Sequence, residues 1–224
     1  TFAVFPVMSR QAVQDREGLQ RSYTLSVKLL LALALPLAIL ITLLAPMLVR
    51  LLSGPEFLPH GAIVLQILIW SIVFGWANSL TNYVLIAMDR QRYVLWASAG
   101  RVVFAIVANY LFVPRFSYVA SGAILVAGEC LLVVLFHFAV RRHMGRIAWG
   151  RLLGRLLLSA VVTGVVVWGL SQVSSLLALL AGLGIYAVAF LWLGVLTPEE
   201  QGMLAPLVPQ PVQEWLRRVG LFVK

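Results

Sequence analysis

The chain has 224 residues, of which 62% are hydrophobic and 11% are charged, and its mean hydropathy is +0.98. A soluble domain carries about 25% charged residues, so this composition excludes a soluble globular enzyme and a disordered chain. The formal charge is +9. In a membrane protein, basic residues mark the side on which the loops lie, so nucleic acid is not expected as a partner. The single cysteine, Cys130, excludes an internal disulfide and a multi-cysteine metal site.

Six apolar segments predict an all-α, polytopic membrane helix bundle. A helix that crosses about 30 Å of hydrocarbon needs about 20 mostly apolar residues. The predicted full transmembrane helices cover residues 28–50, 61–88, 93–113, 118–140, 152–170 and 176–196. The apolar residues 1–8 are interpreted as the end of a seventh helix, so we expect the natural chain to be longer.

The distribution of arginines predicts the orientation in the membrane. Arg90 and Arg92 lie in one connection and Arg141 and Arg142 in another, whereas the connection GPEFLPHG has no basic residue. This alternation is the positive-inside pattern, which places the basic loops and the C-terminus in the cytoplasm, next to membrane lipids. The tail, residues 199–224, is interpreted either as a helix lying on the membrane surface or as a disordered segment.

Two charged residues lie deep in predicted membrane helices. Arg101 and Glu129 are about 16–18 Å from the turn that joins the third and fourth crossings, so antiparallel packing would bring them to one depth. One interpretation is a cationic site for an anionic substrate, in which Glu129 sets the charge or carries a coupling proton. The other is an ion pair that only holds two helices together.

The second crossing carries a stripe of small and polar residues, which are spaced four, three and four positions apart. The stripe consists of Ser71, Gly75, Asn78 and Asn82. Such a stripe faces protein or water, so it predicts either the lining of an aqueous cavity or close packing between helices. We also include Asn109 as a candidate cavity residue. Pro36 is a candidate hinge, because it interrupts the hydrogen bonds of the first full crossing.

Signatures of catalysis are absent from the sequence. There is no phosphate-binding loop, H-E-x-x-H or G-x-S-x-G motif, and no Asp-rich cluster for Mg²⁺. We therefore expect no enzymatic activity, no metal and no cofactor, while coupling to a proton or sodium gradient stays open.

Five segments carry a family resemblance. They are FPVMSR, RSYTLSVKLLLALALPLAILITLLAPMLVRLLSG, VLQILIWSIVFGWANSL, the MDRQR turn and ANYLFVPRFSYVASGAILVAGECLLV. These segments resemble the bacterial polysaccharide flippases (O-antigen flippase-like) of the multidrug/oligosaccharidyl-lipid/polysaccharide exporter superfamily. The resemblance covers residues 1–145 and extends only loosely to the last hairpin.

The resemblance implies one lobe of a MATE-like transporter followed by an extra pair of helices, with the N-terminal lobe of the same transporter missing. The implied domains are the end of a truncated helix (1–8), a C-lobe core with four transmembrane helices (9–145), an additional hairpin (146–198) and a cytoplasmic or interfacial tail (199–224).

The resemblance also implies a function, which is to flip undecaprenyl-pyrophosphate-linked oligosaccharide across the bacterial plasma (inner) membrane by alternating access. Arg101 is the position that would meet the pyrophosphate or acidic sugars, and Glu129 lies where family members often carry an acidic residue. Ser117 replaces a glycine that is usual in the outer turn. The alternatives are a multidrug exporter of the same superfamily and a non-transporting membrane scaffold of envelope glycan assembly.

Overall fold

The computed structural model describes residues 16–145, 149–172 and 174–192. The chain divides into two compact units, Thr1–Ala148 and Trp149–Lys224. Both units are helical and contain no strand within the described ranges, so the prediction of an all-α fold is confirmed there. The predicted helix end at residues 1–8 and the predicted tail at 199–224 lie outside the described residues.

Within the described ranges, the first unit has four α-helices and a short 3-10 helix, and the second unit has two α-helices. In chain order they are α1 (Arg16–Leu52), the 3-10 helix η1 (Pro55–Phe57), α2 (His60–Leu68), α3 (Trp70–Ala87), α4 (Gln91–Met144), α5 (Trp149–Ser171) and α6 (Ser175–Trp192).

Helix α1 is much longer than the predicted first crossing. It has 37 residues and stays helical through Pro36 and Pro46, which gives a length of about 55 Å. Because the helix begins at Arg16, Lys28 is not at its edge but about 18 Å along it. A Tyr23–Thr81 hydrogen bond of 2.9 Å links α1 to α3.

Helix α3 ends in a Schellman motif that starts the next helix in a new direction. The N–H of Arg90 donates to the carbonyl oxygen of Leu85 at 2.8 Å, and the N–H of Asp89 donates to that of Ile86 at 2.9 Å. Asp89 has a φ of 58°, and this left-handed conformation is one that Asp tolerates better than most residues. The motif provides hydrogen bonds to the last carbonyl oxygens of α3, next to Arg90 and Arg92.

Helix α4 folds back on itself at Ser117, so that it forms a hairpin. Its 54 residues are interrupted by non-helical angles at Ser117, φ 52° and ψ −137°. We refer to residues 91–116 as the first arm and 118–144 as the second arm. Ala108 of the first arm packs against Ala120 and Ile124 of the second, which shows that the two arms lie side by side.

The prediction of six full transmembrane helices is not supported. Within the described ranges, four helices are long and apolar enough to cross a membrane: Glu17–Leu52, His60–Ala87, Gln91–Met144 and Leu153–Ser171. The range Gln91–Met144 contains both the predicted third and the predicted fourth crossing, as the two arms that meet at Ser117. The predicted sixth crossing extends to residue 196, and the structure describes α6 only to Trp192.

The second unit is a pair of helices with small hydroxyl side chains inside it. Ser159 and Thr163 of α5 are fully buried. Each hydroxyl donates to a carbonyl oxygen of its own helix at 2.8 Å, Ser159 to Leu156 and Thr163 to Ser159. Such residues let two helix backbones approach closely without leaving a polar group unsatisfied.

The turn at Ser117 generates a prediction about stability. A positive φ with a ψ near −137° is costly for a residue that has a Cβ atom and favourable for glycine. We expect Ser117→Gly to raise the free energy of unfolding by about 1 kcal/mol. Denaturant titration in detergent micelles, followed by circular dichroism, measures the change.

Ser121→Gly is the matched control, because Ser121 lies inside the second arm, four residues further along. Glycine in a helix interior costs about 1 kcal/mol, so this variant is expected to be less stable than the native chain. Equal destabilisation by both substitutions would contradict the proposed strain at residue 117.

Candidate functional site

An ion pair joins the two arms of α4 deep within the hairpin. Nη2 of Arg101 lies 2.7 Å from Oε1 of Glu129. The two residues are 16 and 12 positions from Ser117, which places them about 24 and 18 Å along their arms. The structure therefore contains the pairing that the depths of the two charges predicted. Pairing lowers the cost of holding both charges at membrane depth.

Asn78 of α3 also contacts Glu129, so that a third helical segment takes part in the site. Its side-chain N–H₂ donates to Oε2 of Glu129 at 2.7 Å and to the backbone carbonyl oxygen of Glu129 at 2.9 Å. Asn78 is buried in the contact between α3 and the second arm. Each carboxylate oxygen of Glu129 thus has its own donor, one from Arg101 and one from Asn78.

Gly128 allows the Arg101 side chain to approach Glu129, whereas Gly75 lies beside Glu129 without such crowding. A Cβ atom at residue 128 would lie 3.3 Å from Nε of Arg101, which is closer than most such contacts. Gly128 therefore provides the surface across which the arginine reaches Glu129. Gly75 lies on the opposite side, where a Cβ atom would be 3.7 Å from Oε2 of Glu129, an ordinary van der Waals contact.

The two charged side chains differ in exposure. The Glu129 side chain is 13% exposed, whereas that of Arg101 is 35% exposed. The carboxylate is therefore enclosed by its donors, while the Arg101 side chain is partly open to its surroundings. Guanidinium has five N–H donors in a planar fork that suits phosphate and carboxylate oxygens. The exposed side of this pair is thus suited to an anion rather than to a cation.

The other predicted cavity residues are not drawn into this network. The Ser71 hydroxyl donates to the carbonyl oxygen of Leu68 at 2.6 Å, and Asn109 donates to that of Ala105 at 2.7 Å, both within their own helices. The side-chain oxygen of Asn82 is buried and has no hydrogen-bond partner among the described residues. Pro36 is buried within the continuous helix α1, so its role as a hinge stays a prediction.

Lys28 is a charged residue that the sequence reasoning missed. It is 5% exposed and lies inside the candidate span Glu17–Leu52. The uncharged run that begins directly after Lys28 predicts that this residue lies at the edge of a crossing. The signal that was available is the run REGLQRSYTLSVK, in which Leu19, Tyr23 and Val27 recur at helical spacing and lie buried.

The ion pair generates a prediction that a double-mutant cycle can measure. We expect Arg101→Gln and Glu129→Gln to show a coupling free energy of about 2 kcal/mol, because each single change leaves a partly buried charge without its partner. Denaturant titrations of the native chain, the two single variants and the double variant provide the four free energies.

Glu17 and Arg21 serve as the matched control pair. They lie one turn apart on α1 at 3.9 Å, and their side chains are 87% and 68% exposed. Exposed pairs of this kind contribute little, so their coupling should be close to zero. A coupling between Arg101 and Glu129 no larger than that of the control pair would refute the interaction described above.

Comparison with known proteins supports a transporter. No curated protein matches the chain. The MatE family model matches residues 2–111, which is just under half of the chain. The matched range contains Asn78 and Arg101 and ends before Glu129. Residues 2–111 therefore match a MatE domain, and this supports a MATE-like membrane transporter of the MOP superfamily.

Proposed function

We propose that the chain is part of a transporter that flips undecaprenyl-pyrophosphate-linked oligosaccharide across the bacterial plasma membrane by alternating access. The observation that carries the proposal is the asymmetry of the ion pair. Arg101 is partly exposed, while its counter-ion Glu129 is enclosed and held by Asn78. A cationic group in the membrane that can exchange its partner suits a lipid with an anionic head.

The site favours an anionic substrate over a cationic drug. A transporter of cations needs a carboxylate that its substrate can reach, and both oxygens of Glu129 are already occupied by Arg101 and Asn78. Arginine in turn forms paired, charge-assisted hydrogen bonds with phosphate oxygens. The MatE match is equally consistent with a multidrug exporter, so the preference depends on this site alone.

The remaining parts of the proposal concern the complete transporter. One lobe cannot enclose a path by itself, so we propose an N-terminal lobe of the same protein as the partner that completes the cavity. The four arginines Arg90, Arg92, Arg141 and Arg142 are exposed at the open end of the α4 hairpin, where its two arms begin and end. By the positive-inside rule this end, and with it the C-terminus, would face the cytoplasm. The chain moves its substrate without covalent chemistry.

Arg101→Ala tests the function in the complete transporter. We expect the rate of flipping to fall at least tenfold, because the anionic head loses the charge-assisted hydrogen bonds that Arg101 provides. The assay uses proteoliposomes that contain a fluorescent polyprenyl-pyrophosphate sugar, and dithionite quenching reports the fraction of label in each leaflet.

Arg115→Ala is the matched control, since Arg115 is exposed next to the turn and far from Glu129. It should flip the lipid at the native rate. If Arg101→Ala retains the native rate, the site assignment is wrong. If the native transporter moves a cationic dye and no pyrophosphate lipid, the multidrug alternative replaces the proposal. If the native transporter moves neither compound, the scaffold alternative replaces the proposal.

A further inference from the structure

An apolar groove lies between the two arms of α4, on the side of Arg101 that leads to the turn. It has a volume of about 340 Å³, which is in the range of small ligand sites. All the residues that line it are apolar. The first arm contributes phenylalanines one to two turns apart, Phe104, Phe112 and Phe116, whereas the second arm contributes mainly alanines, including Ala123 and Ala127.

The inner end of this groove lies one residue along the second arm from the place where the Arg101 side chain packs. Ala127 lines the groove, and its neighbour Gly128 is the residue against which the Arg101 side chain lies. On the first arm, Ala108 and Phe112 are seven and eleven residues beyond Arg101, which puts all three on one face of the helix. The partly exposed Arg101 side chain thus lies near one end of the apolar groove.

We propose that this groove holds the hydrocarbon tail of an anionic amphiphile whose phosphate or pyrophosphate group binds Arg101. The inference rests on the proposed function, and it adds a site for the polyprenyl tail to the site for the head. From Phe104 to Phe116 the groove extends about 18 Å. This length is similar to one half of the hydrocarbon core of a bilayer.

The direction of the groove indicates the leaflet from which the amphiphile enters. Its head lies toward the open end of the hairpin and its tail toward Ser117. The rings of Tyr93 and His143 contact each other at 5.3 Å, which brings both helix ends together there. A lipid with this orientation belongs to the leaflet next to the four exposed arginines. The groove is therefore a loading position, occupied before the head crosses the membrane.

The groove is expected to bind and orient the tail through close packing. In a bilayer the tail leaves other hydrocarbon to enter the groove, so the gain comes from close packing rather than from the hydrophobic effect. Blocking the groove should therefore weaken binding of an amphiphile about tenfold, while binding of a tailless anion should not change.

The experiment measures binding of farnesyl pyrophosphate and of inorganic pyrophosphate to the 224-residue chain in phosphatidylcholine nanodiscs. Ala123→Phe fills the groove at an exposed alanine. Ser121→Phe adds the same ring two residues earlier, at an exposed position that does not line the groove. Arg101→Gln removes the charge that both probes need. Circular dichroism verifies that each variant is helical.

The expected result is a loss of about tenfold in farnesyl pyrophosphate affinity for Ala123→Phe, with the pyrophosphate affinity unchanged. Ser121→Phe should leave both affinities unchanged, and Arg101→Gln should lower both. If Ala123→Phe binds farnesyl pyrophosphate at native strength while Arg101→Gln does not, the tail site is wrong and the proposed anionic site stands. If Arg101→Gln retains both affinities, the site of the proposed function is wrong as well.

The same experiment distinguishes two other possible occupants of the groove, bulk phospholipid and a second copy of the chain. If phosphatidylglycerol in the nanodisc lowers native farnesyl pyrophosphate binding as much as Ala123→Phe does, bulk phospholipid occupies the groove. If the native chain is a dimer in detergent and Ala123→Phe is a monomer, a second copy covers it. Either result would overturn the assignment to a polyprenyl tail.

Discussion

The carboxylate of Glu129 is the group on which the arrangement of the first unit depends. A charge at membrane depth has no water to solvate it, so the protein must supply donors for both oxygens. Arg101 comes from the first arm of α4 and Asn78 from α3. Meeting this one requirement fixes the relative depth of three helical segments. It also explains why a glycine lies at residue 128, because a Cβ atom there would crowd the Arg101 side chain.

The turn at Ser117 is a consequence of the same requirement. Arg101 and Glu129 are 28 residues apart in sequence, a separation of about 42 Å in a straight helix, and they meet only if the chain reverses direction. Ser117 makes that reversal in a conformation that suits glycine better. Such strain persists only where surrounding contacts compensate it, and here the ion pair and the packed residues Ala108, Ala120 and Ile124 hold the arms together.

The sequence predicts those features that depend on pattern and depth. Apolar length predicted the membrane helices, and similar depth on two neighbouring helices predicted that Arg101 and Glu129 would pair. The sequence could not predict which polar residues contact the ion pair of Arg101 and Glu129. Ser71 and Asn109 can satisfy their donors with carbonyls of their own helices, whereas Asn78 reaches across to Glu129, and only the packing of α3 decides between these possibilities. Lys28 was misplaced for a related reason, because an uncharged run does not reveal where its helix begins.

In the proposed function, Asn78 is the residue that makes it less costly for Arg101 to exchange its partner. With Asn78 in place, Glu129 keeps one charge-stabilising hydrogen bond even when Arg101 turns to another anion. The cost of exchange is therefore lower than the cost of breaking an isolated buried pair. A substrate bound by such exchange displaces an internal competitor, so its net affinity is moderate. Moderate affinity is what a carrier needs if it is to release its cargo on the far side of the membrane.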